Sequence, residues 1–284
     1  TTTSIQGLHA VGGHPKGDAL ICFDKSAFCS YNQKQAVNAP VSEEAFGVVK
    51  SALDDLLKDA PILAGMKFVH WFDREIAQEE DPFCTLDFGF DRPEQAPETV
   101  PVNPATKRNM ADQVPESVYS GQAAPDLDGT FYYILLLSGV NSRVMIRRFE
   151  RGSYADLRQN LRQWYDDLAL TNQSGTGNIK PVKLTARLLR LLKFQKGDTR
   201  SLDRLSKELA GLTPAVIQAV LSNGTLPDAV AAKALAYIRS ELLSSDDSDR
   251  QSAQSPLPNS QACQWLKVWL LRKNRMNHQD FGRI

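Results

Sequence analysis

Residues 131–168 read FYYILLLSGVNSRVMIRRFERGSYADLRQNLRQWYDDL, and this stretch decides how the rest of the chain is interpreted. Its first eight residues are apolar on both faces of an extended chain, which is typical of a strand inside a sheet. Gly-Val-Asn-Ser at 139–142 supplies turn residues, and an alternating strand follows at 143–150. Ser153 then caps an amphipathic helix over 154–168. The stretch predicts a β-hairpin followed by a helix with one buried face.

The return strand of this hairpin carries arginines between apolar side chains. Strict alternation places Val144 and Ile146 on one face. The opposite face then holds Arg143, Met145, Arg147, Phe149 and Arg151. Two interpretations stay open. One is a solvated face whose arginines lie along the strand. The other is a nucleic-acid surface, where guanidinium groups contact phosphates and an aromatic ring stacks on a base.

Length and composition bound the class of protein. The 284 residues suffice for one large domain or two ordinary ones, and 42% hydrophobic residues suffice for a sizeable core. No run reaches the roughly 18 apolar residues of a membrane span. The four cysteines are scattered, which argues against a zinc site or a disulfide framework and fits a reducing cytoplasm. The first residues do not form a signal peptide and lack a starting methionine, so we expect a fragment or processed chain.

The net charge of zero hides an asymmetry along the chain. Residues 1–140 hold 10 Lys and Arg against 20 Asp and Glu, whereas residues 141–240 hold 17 against 8. The first part is therefore acidic by −10 and the second basic by +9. An acidic half joined to a basic half points to a polyanionic partner on one side only.

The acidic half predicts three further elements around a long insertion. These are a strand near 19–23, a helix over 42–58 capped by Ser42, and a strand over 66–72. The helix is expected to bury Phe46, Val49, Leu53 and Leu56, and the GGHPKG loop at 12–17 carries Lys16. Residues 73–129 contain 13 acids, 4 bases and 7 prolines. That composition favours a solvated insertion, and the alternative is an acidic face for a basic partner protein.

The basic half reads as helices after a linker at 171–178. A helix over 183–194 places leucines on one side. Its other side holds Lys183, Arg187, Arg190 and Lys193, and the basic cluster continues through Lys196 and Arg200. The basic side must face solvent or a polyanion, so either a solvated helix or a phosphate-binding surface is expected. Nine bases against two acids over 180–207 favour the second interpretation.

Residues 201–243 resemble a helix-turn-helix at first sight. A recognition helix must present polar side chains to base edges, yet PAVIQAVL at 214–221 offers only Gln218. We therefore expect this helix to be buried and to stop at Asn223-Gly224. A polar, mobile linker is predicted over about 244–260, followed by a final helix over 261–273.

Motifs that carry chemistry are absent from the sequence. There is no Walker loop, GxSxG, HExxH or paired-carboxylate motif, and the four histidines lack metal-ligand spacing. We predict no catalytic residues, no metal and no cofactor. The protein is expected not to be an enzyme, although a catalytic triad can assemble from distant residues.

A series of short motifs carries a family resemblance. In chain order they are LICFDKSAFCSYNQKQAVNAPVSEEAF, MKFVHWF, FYYILLLSGVNSRVMIRRFE, NLRQWYDDL, AVLSNGTLP and WLKVWLLRKNR. This series resembles the large subunit of the type I-C CRISPR surveillance complex, Cascade, over about residues 19–275. Members of that family are longer at both ends, so the resemblance implies a middle fragment.

The resemblance implies a function as well. The family is not a nuclease; it helps to recognise the protospacer-adjacent motif, holds the opened DNA and docks the helicase-nuclease. The implied partners are other Cascade subunits with guide RNA, target double-stranded DNA with its displaced strand, and the helicase-nuclease. Two alternatives stay open: a DNA-binding transcriptional regulator, and a protein-interaction scaffold that binds no nucleic acid.

The sequence thus predicts an α+β protein in two domains. A mixed sheet packed on helices, including those over 42–58 and 154–168, is expected within residues 1–170. An all-α domain is expected over residues 178–284. The predicted nucleic-acid-binding residues are Arg143, Arg147, Arg151, Lys183, Arg187, Arg190, Lys193, Lys196, Arg200 and Lys16.

Overall fold

The computed structural model describes residues 4–22, 27, 29, 31–33, 37, 39–77, 80–86, 127, 129–171, 184–193, 201–244 and 260–281. The strands are β1 (Ser4–Ile5), β2 (Asp18–Ala19), β3 (Ile62–Leu63), β4 (Met66–Phe72), β5 (Phe131–Val140) and β6 (Arg143–Ser153). The helices are α1 (Glu43–Asp59), α2 (Tyr154–Leu168), α3 (Leu184–Leu189), α4 (Ser201–Leu209), α5 (Thr213–Leu221), α6 (Asp228–Ser244) and α7 (Ser260–Phe281). The predicted α+β class is confirmed.

The chain divides into two compact units by its internal contacts. The first comprises Thr1–Trp71 and Tyr133–Arg151, and the second comprises Phe72–Tyr132 and Gly152–Ile284. Most of the predicted acidic insertion, nearly all of the linker at 171–178, and the interior of the linker at 244–260 lie outside the described residues. The predicted domain boundary stays a prediction.

A mixed sheet forms the first unit, with strand order β1-β2-β6-β5-β4-β3. β1 runs antiparallel to β2, and β3 runs antiparallel to β4. β2 runs parallel to β6, where Ala19 is the partner of Arg143. The strand predicted near 19–23 is thus observed only at Asp18–Ala19, and the short strands β1 and β3 had no sequence signal of their own.

Helix α1 covers one face of this sheet. The Ser42 hydroxyl accepts a hydrogen bond from the Ala45 amide at 3.1 Å, which confirms the predicted cap. Leu57 packs with Val69 and Leu137 in the core of the unit. The prediction that Val49 is buried is wrong, because the buried stripe runs through the last turns of α1 and leaves the Val49 side chain exposed.

A buried lysine of β4, Lys67, binds carbonyl groups at the end of α1. The Lys67 ammonium group donates to the Leu57 carbonyl at 3.2 Å and to the Ala60 carbonyl at 2.8 Å. These carbonyls lie at the end of the helix, where no helical amide reaches them. Burial lowers the pKa of Lys67, with the Asp59 charge acting in the opposite direction. The side chain therefore fixes the helix end to β4.

Helix α2 organises the second unit. The Ser153 hydroxyl accepts from the Asp156 amide at 3.1 Å, as predicted. Its predicted buried face is confirmed, since these side chains are buried: Leu157, Leu161, Trp164 and Leu168. This face packs against α5 and α7, and the Trp164 and Trp265 rings lie 5.7 Å apart. The buried face of α2 thus packs on helices, while Tyr154 at the start of α2 contacts Phe72 of β4, with 6.0 Å between the ring centroids.

Candidate nucleic-acid interface

A two-residue turn closes the hairpin on which the predicted interface depends. Asn141 and Ser142 both adopt positive φ, at 51° and 58°. Such a turn matches the twist of the strands it joins, and asparagine tolerates this conformation. Gly139, in β5, leaves no space for a side chain. A Cβ there would lie 2.1 Å from the Cα of Gly13. The loop at 12–17 therefore packs directly on the end of β5.

The predicted alternation along β6 is interrupted. Val144, like Trp71 and Leu135, packs against the core cluster that includes Leu57 of α1. The Phe149 ring contacts Tyr133, which projects from β5 on the same side as Leu135, two residues away. Val144 and Phe149 therefore share a face although they lie five positions apart. The break lies between Arg147, which bonds Ser138 on the opposite face, and Phe149, as at a β-bulge.

The hairpin arginines consequently lie on two faces. The Arg147 guanidinium donates to the Ser138 hydroxyl at 2.8 Å. Arg151 lies over the Tyr133 ring, 5.7 Å from its centroid. Ser138 and Tyr133 are five residues apart on β5, so they project to opposite faces. The expectation that Arg143, Arg147 and Arg151 share one face is therefore wrong: Arg143, next to Val144, lies on the Arg147 side.

The ring face of the hairpin contains an aromatic row that the sequence analysis did not identify. Trp71 on β4 and Tyr133 on β5 stack at 5.3 Å with 6° between their planes. Tyr133 and Phe149 on β6 follow at 6.4 Å and 30°. The only sequence signal was the aromatic residue near one end of each strand. The row ends at Phe149, whose side chain is 55% exposed.

Lys16 lies at the turn end of the hairpin. It is exposed in the loop at 12–17, and its carbonyl accepts from the Gln6 side-chain amide at 3.2 Å. The following strand β2 contacts the hairpin turn, since the Ala19 amide donates to the Ser142 carbonyl at 2.9 Å. The structure therefore brings the loop of Lys16 and the first residues of β6 to the same end of the sheet.

The basic side of the predicted helix over 183–194 is not an exposed track. Helix α3 ends at Leu189, and the expectation that Arg187 faces solvent or a polyanion is wrong. Its side chain is 1% exposed and donates to the Gln264 side-chain carbonyl. Burial lowers the pKa of Arg187 to about 10. The side chain anchors α3 to α7, because the Trp265 indole also donates to the Arg187 carbonyl at 2.9 Å.

Arg190 also binds side chains of the second unit rather than facing solvent alone. Its guanidinium donates to the Gln261 side chain at 3.1 Å and to the Tyr237 hydroxyl at 2.8 Å, and lies 5.7 Å from the Tyr237 ring centroid. Lys193 is exposed, and Lys183, Lys196 and Arg200 lie outside the described residues. Among the described bases of this group, only Lys193 keeps the exposure that a phosphate track requires.

A buried ionic cluster joins α2 to α7. The Asp167 carboxylate, 1% exposed, accepts from Arg272 at 2.9 Å and from Arg275 at 3.3 Å. Arg272 also donates to the Gly224 carbonyl at 2.9 Å, just after α5. Burial lowers the pKa of Arg272, and the Asp167 carboxylate opposes this shift. Arg272 and Arg275 of α7 are therefore bound within the unit.

Three of the motifs that carry the family resemblance contribute residues around this cluster. NLRQWYDDL contributes Asp167 and also Asn160, which donates to the Leu221 carbonyl. AVLSNGTLP ends α5, with Asn223 in the left-handed conformation at φ 52°. WLKVWLLRKNR contributes the two arginines on Asp167. The three motifs meet at one packed polar contact.

Helix α5 is buried as predicted, which removes support for the regulator interpretation. Val216, Ile217 and Val220 are buried, whereas Gln218 is exposed. A helix whose side chains are mostly buried cannot present a polar surface to base edges. Within the described part of the chain, α5 is a core helix.

Other kinds of site are sparse in the described ranges. No group of three His, Cys, Asp or Glu side chains there is arranged to hold a metal ion. A shallow cleft of about 450 Å³ lies beside α1, and its charged side chains pair with each other, Lys50 with Asp54 and Lys58 with Asp55. No described helix is long and apolar enough to cross a membrane.

The described residues form an α+β protein with an exposed hairpin that carries basic and aromatic side chains. Its family follows from a comparison with protein families, in which residues 2–283 match CRISPR-associated protein (Cas_Csd1). The chain therefore belongs to the Cas_Csd1 family, and it is a CRISPR-associated protein of the Cascade type. A comparison with curated proteins gave no significant match.

Proposed function

We propose that this chain is a non-catalytic, nucleic-acid-binding large subunit of a type I-C Cascade complex. It acts in the cytoplasm with the other Cascade subunits and guide RNA on target double-stranded DNA. Its role is to help recognise the protospacer-adjacent motif, to hold the opened DNA and to recruit the helicase-nuclease. Family membership supports the CRISPR part of this proposal, and the hairpin supports the nucleic-acid part.

The observation that carries the nucleic-acid part is the exposed basic strand β6. Arg147 and Arg151 are exposed on opposite faces, and Phe149 lies between them in sequence. Arg148 is paired with Glu150, so that pair adds no net charge. Exposed guanidinium groups beside an exposed ring are the side chains that contact phosphates and bases. Arg187 and Arg272 of the second unit are buried. The hairpin is therefore the main candidate for a nucleic-acid contact among the described residues.

The test uses the assembled complex and a target duplex. Replacing Arg147 and Arg151 together with Ala should weaken binding, because each lost phosphate contact also reduces counterion release. The slope of log affinity against log salt should flatten by about 0.9 per contact. Lys58→Ala is the matched control, since Lys58 is an exposed base of the same unit that pairs with Asp55. Unchanged affinity and slope in the double variant would contradict the proposal.

A protein-interaction scaffold is the second candidate, and one observation favours it. Val48 and Val49 on α1 are 68% and 46% exposed. Adjacent exposed apolar side chains on a helix are more typical of a protein contact than of a nucleic-acid contact. Val48→Ser should release a neighbouring subunit from the complex if this surface is used. Intact assembly together with intact DNA binding would count against the scaffold.

A further inference from the structure

An aromatic row crosses three neighbouring strands of the first unit, Trp71 on β4, Tyr133 on β5 and Phe149 on β6. The first two rings are almost parallel at 5.3 Å, and the third follows at 6.4 Å. Trp71 packs against the core under α1, so the row starts in the interior. It runs outward across the sheet and ends at the exposed Phe149 ring.

Cross-strand packing accounts for only part of this arrangement. Aromatic pairs on neighbouring strands stabilise a sheet, and Tyr133 is held between two such partners. Phe149 differs because its side chain remains 55% exposed, although a phenylalanine stabilises a fold chiefly through burial. The inner rings fix the position of Tyr133, and Tyr133 in turn supports Phe149. The result is a ring that is packed against Tyr133 on one side and presents apolar surface to solvent.

Positive charge accompanies the exposed ring on the same face. The Arg151 guanidinium lies 5.7 Å from the Tyr133 centroid, and the Arg151 side chain is exposed. A ring for a base and a guanidinium for the adjoining phosphate are the two groups that bind a single nucleotide strand. Bases inside a duplex stack on each other and are not available to an external ring. The positive charge of Arg151 therefore favours a polyanionic partner. The exposed Phe149 ring favours a polyanion that has unpaired bases.

We propose that Phe149, supported by Tyr133 and Trp71, stacks on an unpaired base, and that Arg151 contacts the phosphate beside it. This inference rests on the proposed function and adds to it the form of nucleic acid that the ring face binds. It also assigns different roles to the two faces of β6. The ring face reads unpaired nucleotides, whereas Arg147 on the opposite face contributes charge alone.

The test compares two labelled probes, a 20-nucleotide oligo(dT) and a 20-base-pair duplex, by fluorescence anisotropy with the full chain. Phe149→Ala should weaken oligo(dT) binding by about 5- to 150-fold, the range for one stacked base. Its salt slope should stay that of the wild type, and duplex binding should change by less than about twofold. Phe149→Trp should retain the affinity for oligo(dT), because it keeps a ring at this position.

Two control variants separate this inference from the proposed function. Ile146→Ala removes another exposed apolar side chain of β6, 56% exposed, and should leave oligo(dT) binding unchanged. Arg151→Ala should weaken oligo(dT) binding and flatten its salt slope by about 0.7. Wild-type binding that survives Phe149→Ala would overturn the stacking inference alone. A wild type that binds neither probe would overturn both, and loss of a protein neighbour with DNA binding intact would reassign the ring to a protein contact.

Discussion

Replacing Arg187 with Ala should destabilise the second unit rather than weaken a nucleic-acid contact. The side chain is 1% exposed and donates to Gln264, whose amide also donates to the Leu168 carbonyl at 2.8 Å. The substitution removes the two buried methylenes Cγ and Cδ, worth roughly 0.8 kcal/mol each. It also leaves the Gln264 carbonyl without this donor, which costs about 1 to 3 kcal/mol. Removing the buried guanidinium also removes its desolvation penalty, which offsets part of this loss. We therefore expect a net cost of about 3 kcal/mol in the free energy of unfolding.

Urea unfolding followed by tryptophan fluorescence measures this cost. Trp265 is a suitable reporter, since its indole donates to the Arg187 carbonyl. Arg187→Met keeps most of the aliphatic volume and should cost less than Arg187→Ala. Lys193→Ala, an exposed base of the same segment, should change the free energy of unfolding by no more than about 0.5 kcal/mol. A cost below about 1 kcal/mol for Arg187→Ala, together with loss of DNA binding, would refute the assignment to the core.

Three further predictions concern buried or capping groups. Asp167→Asn should cost about 3 to 5 kcal/mol in urea unfolding, because it leaves the buried charge of its arginine partner uncompensated; the exposed neighbour variant Asp166→Asn should cost little. Lys67→Met should accelerate amide hydrogen exchange in the last turn of α1 and cost about 1 to 3 kcal/mol, while Lys58→Met, at an exposed position, should leave exchange unchanged. Burial raises the pKa of Tyr154, so its contribution to stability is complete below about pH 10 and is lost as pH rises through the folded pKa. Ultraviolet difference titration should show a late-ionising tyrosine that disappears in Tyr154→Phe.

Short sequence patterns correctly predicted those helix caps, buried helix faces and helix ends that depend only on residues close in sequence. The Ser153 cap and the buried face of α2 depend on spacing within one helix, and both are confirmed. The stop of α5 at Asn223 depends on local backbone preference and is likewise observed. Such features are visible in sequence because a single helix period or a single turn determines them.

The candidate site was harder to predict because its contacts are distant in sequence. Arg187 is bound by Gln264, 77 residues further on, and the helical period cannot show that α7 covers the basic side. The break in β6 alternation depends on how the hairpin pairs, which a period-two pattern assumes to be regular. The aromatic row was missed for the same reason, since its three rings come from three strands. Burial of a charged side chain is therefore the property that periodicity predicts least well.

The buried Asp167 has a consequence for how the protein is made. Its partner Arg272 lies 105 residues later, so the ribosome completes α2 long before the compensating charge exists. Domains fold as their segments emerge, and a carboxylate cannot enter an apolar interior unpaired without a large penalty. We therefore expect α2 to stay hydrated during synthesis until α7 has been made. Translation pauses within 228–281 should then lengthen the lifetime of an open, protease-sensitive nascent chain.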